Sequence, residues 1–246
     1  MSYSPPQKIF QNSHSGKGKE ASLSFFSSRV KRSLIDLEEG GGCMPRRMKI
    51  PELRLFRRVV EAIPCWRDRM RVKVLYLLAA RASEVAFRDS DVPAYGSMMR
   101  HRVDEHMGEQ ILLTKLVTLK KRGREGPVYR IVALPLNPRF EPWARELLDI
   151  IEEHGSLEPI LNVTRQMLGV SVRRWLKVRP HYLRHARITH LVEYYGFSGV
   201  ELTVYAGWSF KTGVGVPMMD RYAHLSWRTY LPKLLKPLPR VKTVEM

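Results

Sequence analysis

The sequence is short of several features that define common protein classes. It has two cysteines, Cys43 and Cys65, in 246 residues, too few for a disulfide framework or a four-ligand zinc site. We therefore expect reduced thiols in a cytoplasmic protein. The longest apolar stretch, residues 74–80, is far too short to span a bilayer. Because no basic start is followed by a long apolar run, we expect neither secretion nor membrane insertion.

Acidic residues are scarce relative to basic ones. Lys and Arg number 42 against 24 Asp and Glu, which gives a formal net charge of +18. The excess extends beyond the N-terminus, since residues 51–246 still hold 33 basic and 20 acidic side chains. A domain this basic repels itself unless it has a polyanionic partner, and nucleic acid is the most common one. The alternative is a soluble protein that is merely cationic.

Residues 1–48 differ in composition from the rest of the chain. They are rich in Ser and Gly, include the triplet Gly40-Gly41-Gly42, and can bury little apolar surface. We predict a flexible basic N-terminal arm over residues 1–48, with one short helix from Leu23 to Leu37 that the glycine triplet ends. A folded domain over residues 49–228 and a C-terminal tail over residues 229–246 follow.

The hydrophobic pattern of residues 49–228 predicts a mainly helical α+β domain. Two runs rich in Ile, Val, Leu and Thr, Glu109–Leu119 and Val128–Leu136, predict an antiparallel β-hairpin around a basic turn that contains glycine. The other periodic segments predict helices, at Leu53–Ile63, Trp66–Arg81, Glu141–His154, Thr164–Val178, His181–Tyr195, Val200–Tyr205 and Pro217–Leu225.

Two short motifs in this domain carry residue types suited to chemistry. Arg81-Ala82-Ser83-Glu84 ends a predicted helix with an arginine, which ordinarily is solvated or complements the helix dipole. In His181-Tyr182-Leu183-Arg184-His185, the arginine lies one turn after the first histidine on the same side of a helix. Histidines four residues apart can bind a metal, but the zinc-protease pattern needs Glu where this chain has Tyr182. We therefore expect no metal site.

A third pair of motifs lies near the C-terminus, where Gly207-Trp208 precedes Asp220-Arg221-Tyr222-Ala223-His224-Leu225. Taken in order, Arg-x-Ser-Glu, the basic hairpin, His-x-Leu-Arg-His, Gly-Trp and Arg-Tyr-Ala-His-Leu resemble the tyrosine recombinase (phage integrase) family from about Pro51 to Trp227. The resemblance implies a tyrosine recombinase catalytic domain over residues 49–228. It also implies a site-specific DNA recombinase, or integrase, that cleaves and rejoins DNA through a 3′-phosphotyrosyl intermediate.

The resemblance assigns roles to individual residues. It makes Arg81 and Arg184 the catalytic arginines that bind the charged transition state, and Tyr222 the nucleophile. His181 becomes the proton acceptor, and Trp208 fills a position that family members occupy with His or Trp. No cofactor and no metal are implied.

Further residues are implied beside these motifs. The hairpin supplies a lysine that protonates the leaving 5′-oxygen. Strand alternation puts Lys120 and Lys121 on opposite faces, so one of them can reach the phosphate; Lys120 is slightly favoured and Lys121 is the alternative. Glu84 and His185 match supporting positions beside the first arginine and in the histidine motif.

The resemblance implies double-stranded DNA as the partner, a homo-tetramer on DNA, association with the nucleoid when bound, and no membrane. The tail over residues 229–246 either docks on a neighbouring catalytic domain or packs on its own domain. Family members usually carry a helical core-binding domain before the first arginine. Here we expect that this domain is absent, or that the chain is a short relative or a fragment of a longer integrase.

Two other functions are alternatives to a recombinase. One is DNA relaxation like that of a type IB topoisomerase, and the other is that of a catalytically inactive DNA-binding remnant.

Overall fold

The computed structural model describes residues 50–88, 94–119, 128–208 and 226–237. It separates Met1–Lys49 from Ile50–Met246, and all of the described residues belong to the second unit. The predicted arm, its Leu23–Leu37 helix, the turn of the hairpin and the Pro217–Leu225 helix lie outside the described residues. No helix in the described ranges is long and apolar enough to cross a membrane.

The unit combines helices with a three-stranded antiparallel sheet, as the α+β prediction required. The strands are β1 (Arg100–His106), β2 (Glu109–Thr118) and β3 (Val128–Pro135), in the order β1-β2-β3. The two predicted strands are confirmed to within one residue. Strand β1 was not predicted, because Val103 is its one apolar residue. Backbone pairing along the whole length of β1, from Arg100 opposite Lys115 to His106 opposite Glu109, holds it to β2.

Helices cover most of the remaining described chain. Five of the predicted helices are found with their ends displaced by up to three residues, and a sixth, which begins at Trp66, ends four residues early. Three helices were not predicted: Ala82–Val85, Glu158–Leu161 and Trp227–Leu234. The helix Trp66–Leu77 is at the centre: residues 72–80 are all buried, and this helix packs against the helices Arg165–Leu176 and Pro180–Tyr195. The helices are α1 (Leu53–Glu61), α2 (Trp66–Leu77), α3 (Ala82–Val85), α4 (Ala144–His154), α5 (Glu158–Leu161), α6 (Arg165–Leu176), α7 (Pro180–Tyr195), α8 (Gly199–Ala206) and α9 (Trp227–Leu234).

The end of α2 differs from the prediction, which carried this helix to Arg81. The helix ends at Leu77, and Ala79 has a left-handed φ of 43°. The carbonyl groups that a helix C-terminus leaves unpaired here accept hydrogen bonds from side chains of other elements. Arg81 is therefore the residue before the short helix α3, rather than the last residue of a long one. The donors to the carbonyls of residues 77–79 are Tyr205, Arg130 and Arg184.

The start of the predicted tail packs within this unit. Helix α9 lies against β3 and α8, with the side chains of Trp227, Tyr230, Leu231 and Leu234 buried. The Tyr230 hydroxyl accepts from the Ala133 N–H at 3.0 Å and donates to the Ile131 carbonyl at 3.2 Å, which covers the outer edge of β3. Residues 227–234 thus pack on their own domain, and docking on a neighbour remains a prediction for residues 238–246, outside the described ranges.

Two truncations should distinguish packing within the domain from docking on a neighbouring copy. Removing residues 229–246 should unfold or strongly destabilise the protein, because it deletes three buried side chains of α9, and each such loss typically costs about 2–5 kcal/mol. Removing residues 238–246 should leave the urea midpoint unchanged. The shorter deletion therefore tests docking: loss of higher-order complexes on DNA, seen by native gel, would support it, and normal complexes would contradict it.

His190 of α7 is wholly buried and held by two hydrogen-bond partners. Its Nδ1 lies 2.8 Å from the Tyr76 hydroxyl and its Nε2 lies 2.9 Å from the Pro51 carbonyl oxygen. Burial, with the nearby charges of Arg187 and Arg57, lowers the pKa of His190 to about 4, although the Pro51 carbonyl opposes this. The folded protein therefore keeps this imidazole neutral at pH 7.

Acid should weaken the fold through this residue. The ordinary pKa of this group is 6.5, so the unfolded chain binds the proton more tightly than the folded protein does. The stabilisation gained by keeping His190 neutral is therefore complete above pH 6.5 and is lost as the pH falls towards 4. We expect a loss of about 2 kcal/mol between pH 7 and pH 5 from His190, measured as the change in urea unfolding free energy. His190→Gln should show a flatter dependence, and identical profiles for variant and wild type would contradict the assignment.

Candidate functional site

The site is built around Glu84, a carboxylate that is fully buried. Its Oε1 accepts a hydrogen bond from Arg81 Nη1 at 2.7 Å, and its Oε2 accepts one from Arg130 Nη1 at 3.1 Å. Arg184 Nη1 lies 3.8 Å from the same Oε2. The Arg81 backbone N–H also donates to Glu84, at 3.0 Å, which caps the start of α3. Three guanidinium groups from three different elements therefore surround one carboxylate.

The charges of this cluster do not cancel. Burial by itself would raise the pKa of Glu84, but Arg130, the Arg81 backbone N–H, and the Arg184 and Arg81 charges together lower it below its ordinary value. Glu84 is thus ionised, and three positive groups face a single negative one. The excess makes the surroundings favourable for a further anion.

Arg184, on α7, is the most enclosed of the three arginines, with 2% of its surface exposed. Its Nη1 donates to the Ala79 carbonyl at 2.6 Å and its Nη2 to the Ala206 carbonyl at 2.8 Å. Burial, with the neighbouring Arg130, lowers the pKa of Arg184 to about 10, although Glu84 opposes this. The side chain joins the end of α2 to the end of α8, and it remains charged at pH 7.

Trp208 follows α8 after a single residue, Gly207, whose φ of 67° ends the helix. The Arg184 Cζ lies 6.0 Å from the centre of the Trp208 ring, within reach of a cation–π contact. The ring is 39% exposed. Trp208 therefore covers one side of the Arg184 guanidinium while part of its own surface faces solvent.

A groove of about 380 Å³ opens beside α3. Residues 165, 169 and 173 of α6 line one wall at four-residue spacing, and Gly169 leaves room between two arginines. No acidic residue is among the described residues that line it. The polar side chains in the lining are Arg81, Ser83, Arg165, Gln166, Arg173 and His181. This concentration of positive groups suits an anionic ligand such as a phosphate.

The structure brings together most of the predicted site residues that it describes. Arg81 belongs to both features, since it contacts Glu84 and lines the groove with His181. His181 and His185 lie on the exposed side of α7, and their rings pack edge to face with centroids 4.5 Å apart. Arg184 faces the interior instead and does not line the groove. Its link to the groove is indirect, because it lies beside Glu84, which in turn binds Arg81. Lys120, Lys121 and Tyr222 lie outside the described residues.

Three arginines at the site were missed by the sequence analysis. Arg130 interrupts the apolar run of β3 at an inward-facing position, two residues before the buried Val132, and a charge at such a position was a usable signal. Arg165 and Arg173 lie eight residues apart on α6. That spacing puts both on one helix face, but nothing in the sequence alone indicated which face would meet Arg81.

The fold and the site together define an α+β domain with a guanidinium-lined groove suited to an anionic ligand. Within the described ranges, no group of three or more His, Cys, Asp or Glu side chains is placed to hold a metal ion. Comparison with protein-family models, with curated proteins and with solved structures found no match.

Proposed function

We propose that this protein is a site-specific DNA recombinase of the tyrosine type, which cleaves and rejoins DNA through a 3′-phosphotyrosyl intermediate. One observation carries the proposal. Arg81 and His181 come from motifs far apart in the sequence, yet they line the same basic groove, and Glu84 links Arg81 to Arg184. These residue types share one active site in the family that the sequence resembles. The proposed partners are double-stranded DNA and, on DNA, three further copies of the chain.

Arg81 is suited to bind the scissile phosphate. A phosphoryl transition state concentrates negative charge on its nonbridging oxygens, and a guanidinium presents forked donors that match them. Glu84 holds Arg81 Nη1 at 2.7 Å, which fixes the orientation of the fork before DNA binds. Arg184 supplies positive potential from behind Glu84 and supports Trp208.

Proton transfers complete the proposed reaction. A tyrosine hydroxyl has a pKa near 10, and nearby cations favour its ionised form. His181, on the exposed side of α7, accepts the proton of Tyr222 as the tyrosine oxygen attacks phosphorus. The bond from phosphorus to the 5′-oxygen breaks, and Lys120 or Lys121 protonates that oxygen. Reversal of these steps on a new 5′-hydroxyl rejoins the strand.

A covalent adduct is the decisive test. We expect the full chain, incubated with a nicked duplex library of randomised sequence, to form a protein–DNA adduct that survives a denaturing gel and resists EDTA. Tight binding without an adduct would favour the inactive DNA-binding remnant. An adduct together with relaxation of any supercoiled plasmid, and no strand exchange, would favour the topoisomerase alternative. EDTA inhibition that a divalent ion reverses would indicate a metal-dependent nuclease.

The N-terminal segment should contribute to DNA affinity through its charge. Deleting residues 1–48 removes 8 basic and 4 acidic residues. We expect a flatter dependence of log Kd on log salt, because each phosphate contact contributes about 0.9 to the slope; fluorescence anisotropy measures it. Cleavage of bound DNA should survive, since no proposed catalytic residue lies in the deleted segment. An unchanged slope would show that the segment makes no net phosphate contacts.

A further inference from the structure

Arg130 is a buried arginine on β3 that belongs to none of the sequence motifs. It has 6% of its surface exposed and shares its face of the strand with the buried Val132 and Leu134. Burying a charge in such a position is costly unless the group is paired and hydrogen-bonded. The partners of Arg130 therefore indicate why a charge is placed there.

The guanidinium of Arg130 joins two elements of the candidate site. Its Nη1 donates to Glu84 Oε2 at 3.1 Å, and its Nη2 donates to the carbonyls of Leu78 at 2.9 Å and Ala79 at 3.3 Å. The two ends of one rigid fork thus hold α3 against the end of α2. Arg184 donates to the same Ala79 carbonyl, and Arg81 donates to the same Glu84 carboxylate. Both other arginines of the cluster therefore share a partner with Arg130.

The stem of Arg130 also supports the chain that leads to Trp208. A Cβ atom added at Gly207 would lie 2.9 Å from Arg130 Cδ and 2.7 Å from Thr118 Oγ1. The backbone between α8 and Trp208 therefore rests directly on β2 and β3, and the positive φ at this position also favours glycine. Arg130 contacts the β2–β3 pair, the Glu84 cluster and the start of the Trp208 segment at once.

We propose that Arg130 is a positioning residue, which fixes Glu84 and through it Arg81 and Arg184, and which couples the β2–β3 hairpin to the end of α8. The catalytic consequence rests on the proposed function, whereas the positioning of Glu84 does not.

Cleavage kinetics test the catalytic part. We expect Arg130→Met, at saturating DNA, to form the adduct about 10–100-fold more slowly than wild type, by analogy with the loss measured when a group that orients a metal ligand is removed. Arg130→Lys should fall between them, because a point charge replaces the fork. Arg102→Met is the matched control: it removes the same charge from a sheet arginine that is 66% exposed in its side chain and pairs with Asp104, and it should cleave at the wild-type rate.

Titration of Glu84 tests the positioning part without requiring activity. In ¹³C NMR of folded protein, Arg130→Met should raise the pKa of Glu84, since Arg130 is one of the cations that lower it. Arg102→Met should leave the pKa of Glu84 unchanged.

A wild-type protein that forms no adduct would overturn the recombinase proposal and leave this titration readout intact. A Glu84 titration that Arg130→Met leaves unchanged, or wild-type cleavage by that variant, would overturn the role of Arg130. If Arg130→Met does not fold, Arg130→Lys decides, with slower cleavage expected and wild-type cleavage contradicting the proposal.

Discussion

Tyr222→Phe is expected to bind DNA with wild-type affinity and to form no covalent adduct on a nicked duplex. The substitution removes one hydroxyl oxygen, which is the proposed nucleophile, and keeps the aromatic ring. Without that oxygen no phosphotyrosyl bond can form, so the loss should be complete rather than partial. Denaturing gels measure the adduct, and fluorescence anisotropy measures the affinity.

Tyr129→Phe provides the matched control. Tyr129 lies on β3 with 40% of its surface exposed, outside the groove, and the change removes the same hydroxyl oxygen from a tyrosine without a proposed role. This variant should form the adduct at the wild-type rate. An adduct that Tyr222→Phe forms undiminished would show that another residue is the nucleophile, and adduct loss in both variants would point to a general effect on the fold.

Local pattern accounts for what could be predicted of the fold. The strands β2 and β3 are rich in Ile, Val, Leu and Thr, and α7 ends at a glycine with φ of 65°, so these elements left a clear signal. The end of α2 left none: residues 74–80 are apolar without interruption, and the helix stops because distant side chains bind its last carbonyls. Such long-range competition for backbone groups cannot be derived from one segment of sequence.

The candidate site, like the fold, could be predicted only in part from local sequence patterns. The motifs predicted Arg81, Glu84 and Arg184 as neighbours, and their side chains do meet. The motifs could not predict that Arg184 is nearly fully buried while His181, one turn earlier, is exposed. That difference depends on where α8 ends, because the Ala206 carbonyl accepts from Arg184. Residue type and order suggested the chemistry, and tertiary packing set which arginine faces the groove.

The difference in burial leads to unequal effects for Arg81 and Arg184, the arginines of the two motifs. Arg81→Ala should slow adduct formation about 10²–10³-fold, the cost of about 2.7–4 kcal/mol for one preorganised donor, with little loss of stability. The Arg81 side chain is 20% exposed, and Glu84 keeps its contact with Arg130 after the change. Urea unfolding and single-turnover cleavage on the same samples measure the two quantities.

Arg184→Ala should lower both the cleavage rate and the stability. The substitution leaves the buried Ala206 carbonyl without its Arg184 donor and opens a cavity between α2 and α8; an unsatisfied buried carbonyl costs about 1–3 kcal/mol, and the cavity adds to it. We expect a loss of roughly 2–4 kcal/mol in the free energy of unfolding. Arg145→Ala, at an exposed ion pair with Asp149, should change the free energy of unfolding by no more than about 0.5 kcal/mol and leave the cleavage rate unchanged. Equal destabilisation by Arg81→Ala and Arg184→Ala would contradict the assignment of Arg184 to the interior and Arg81 to the groove.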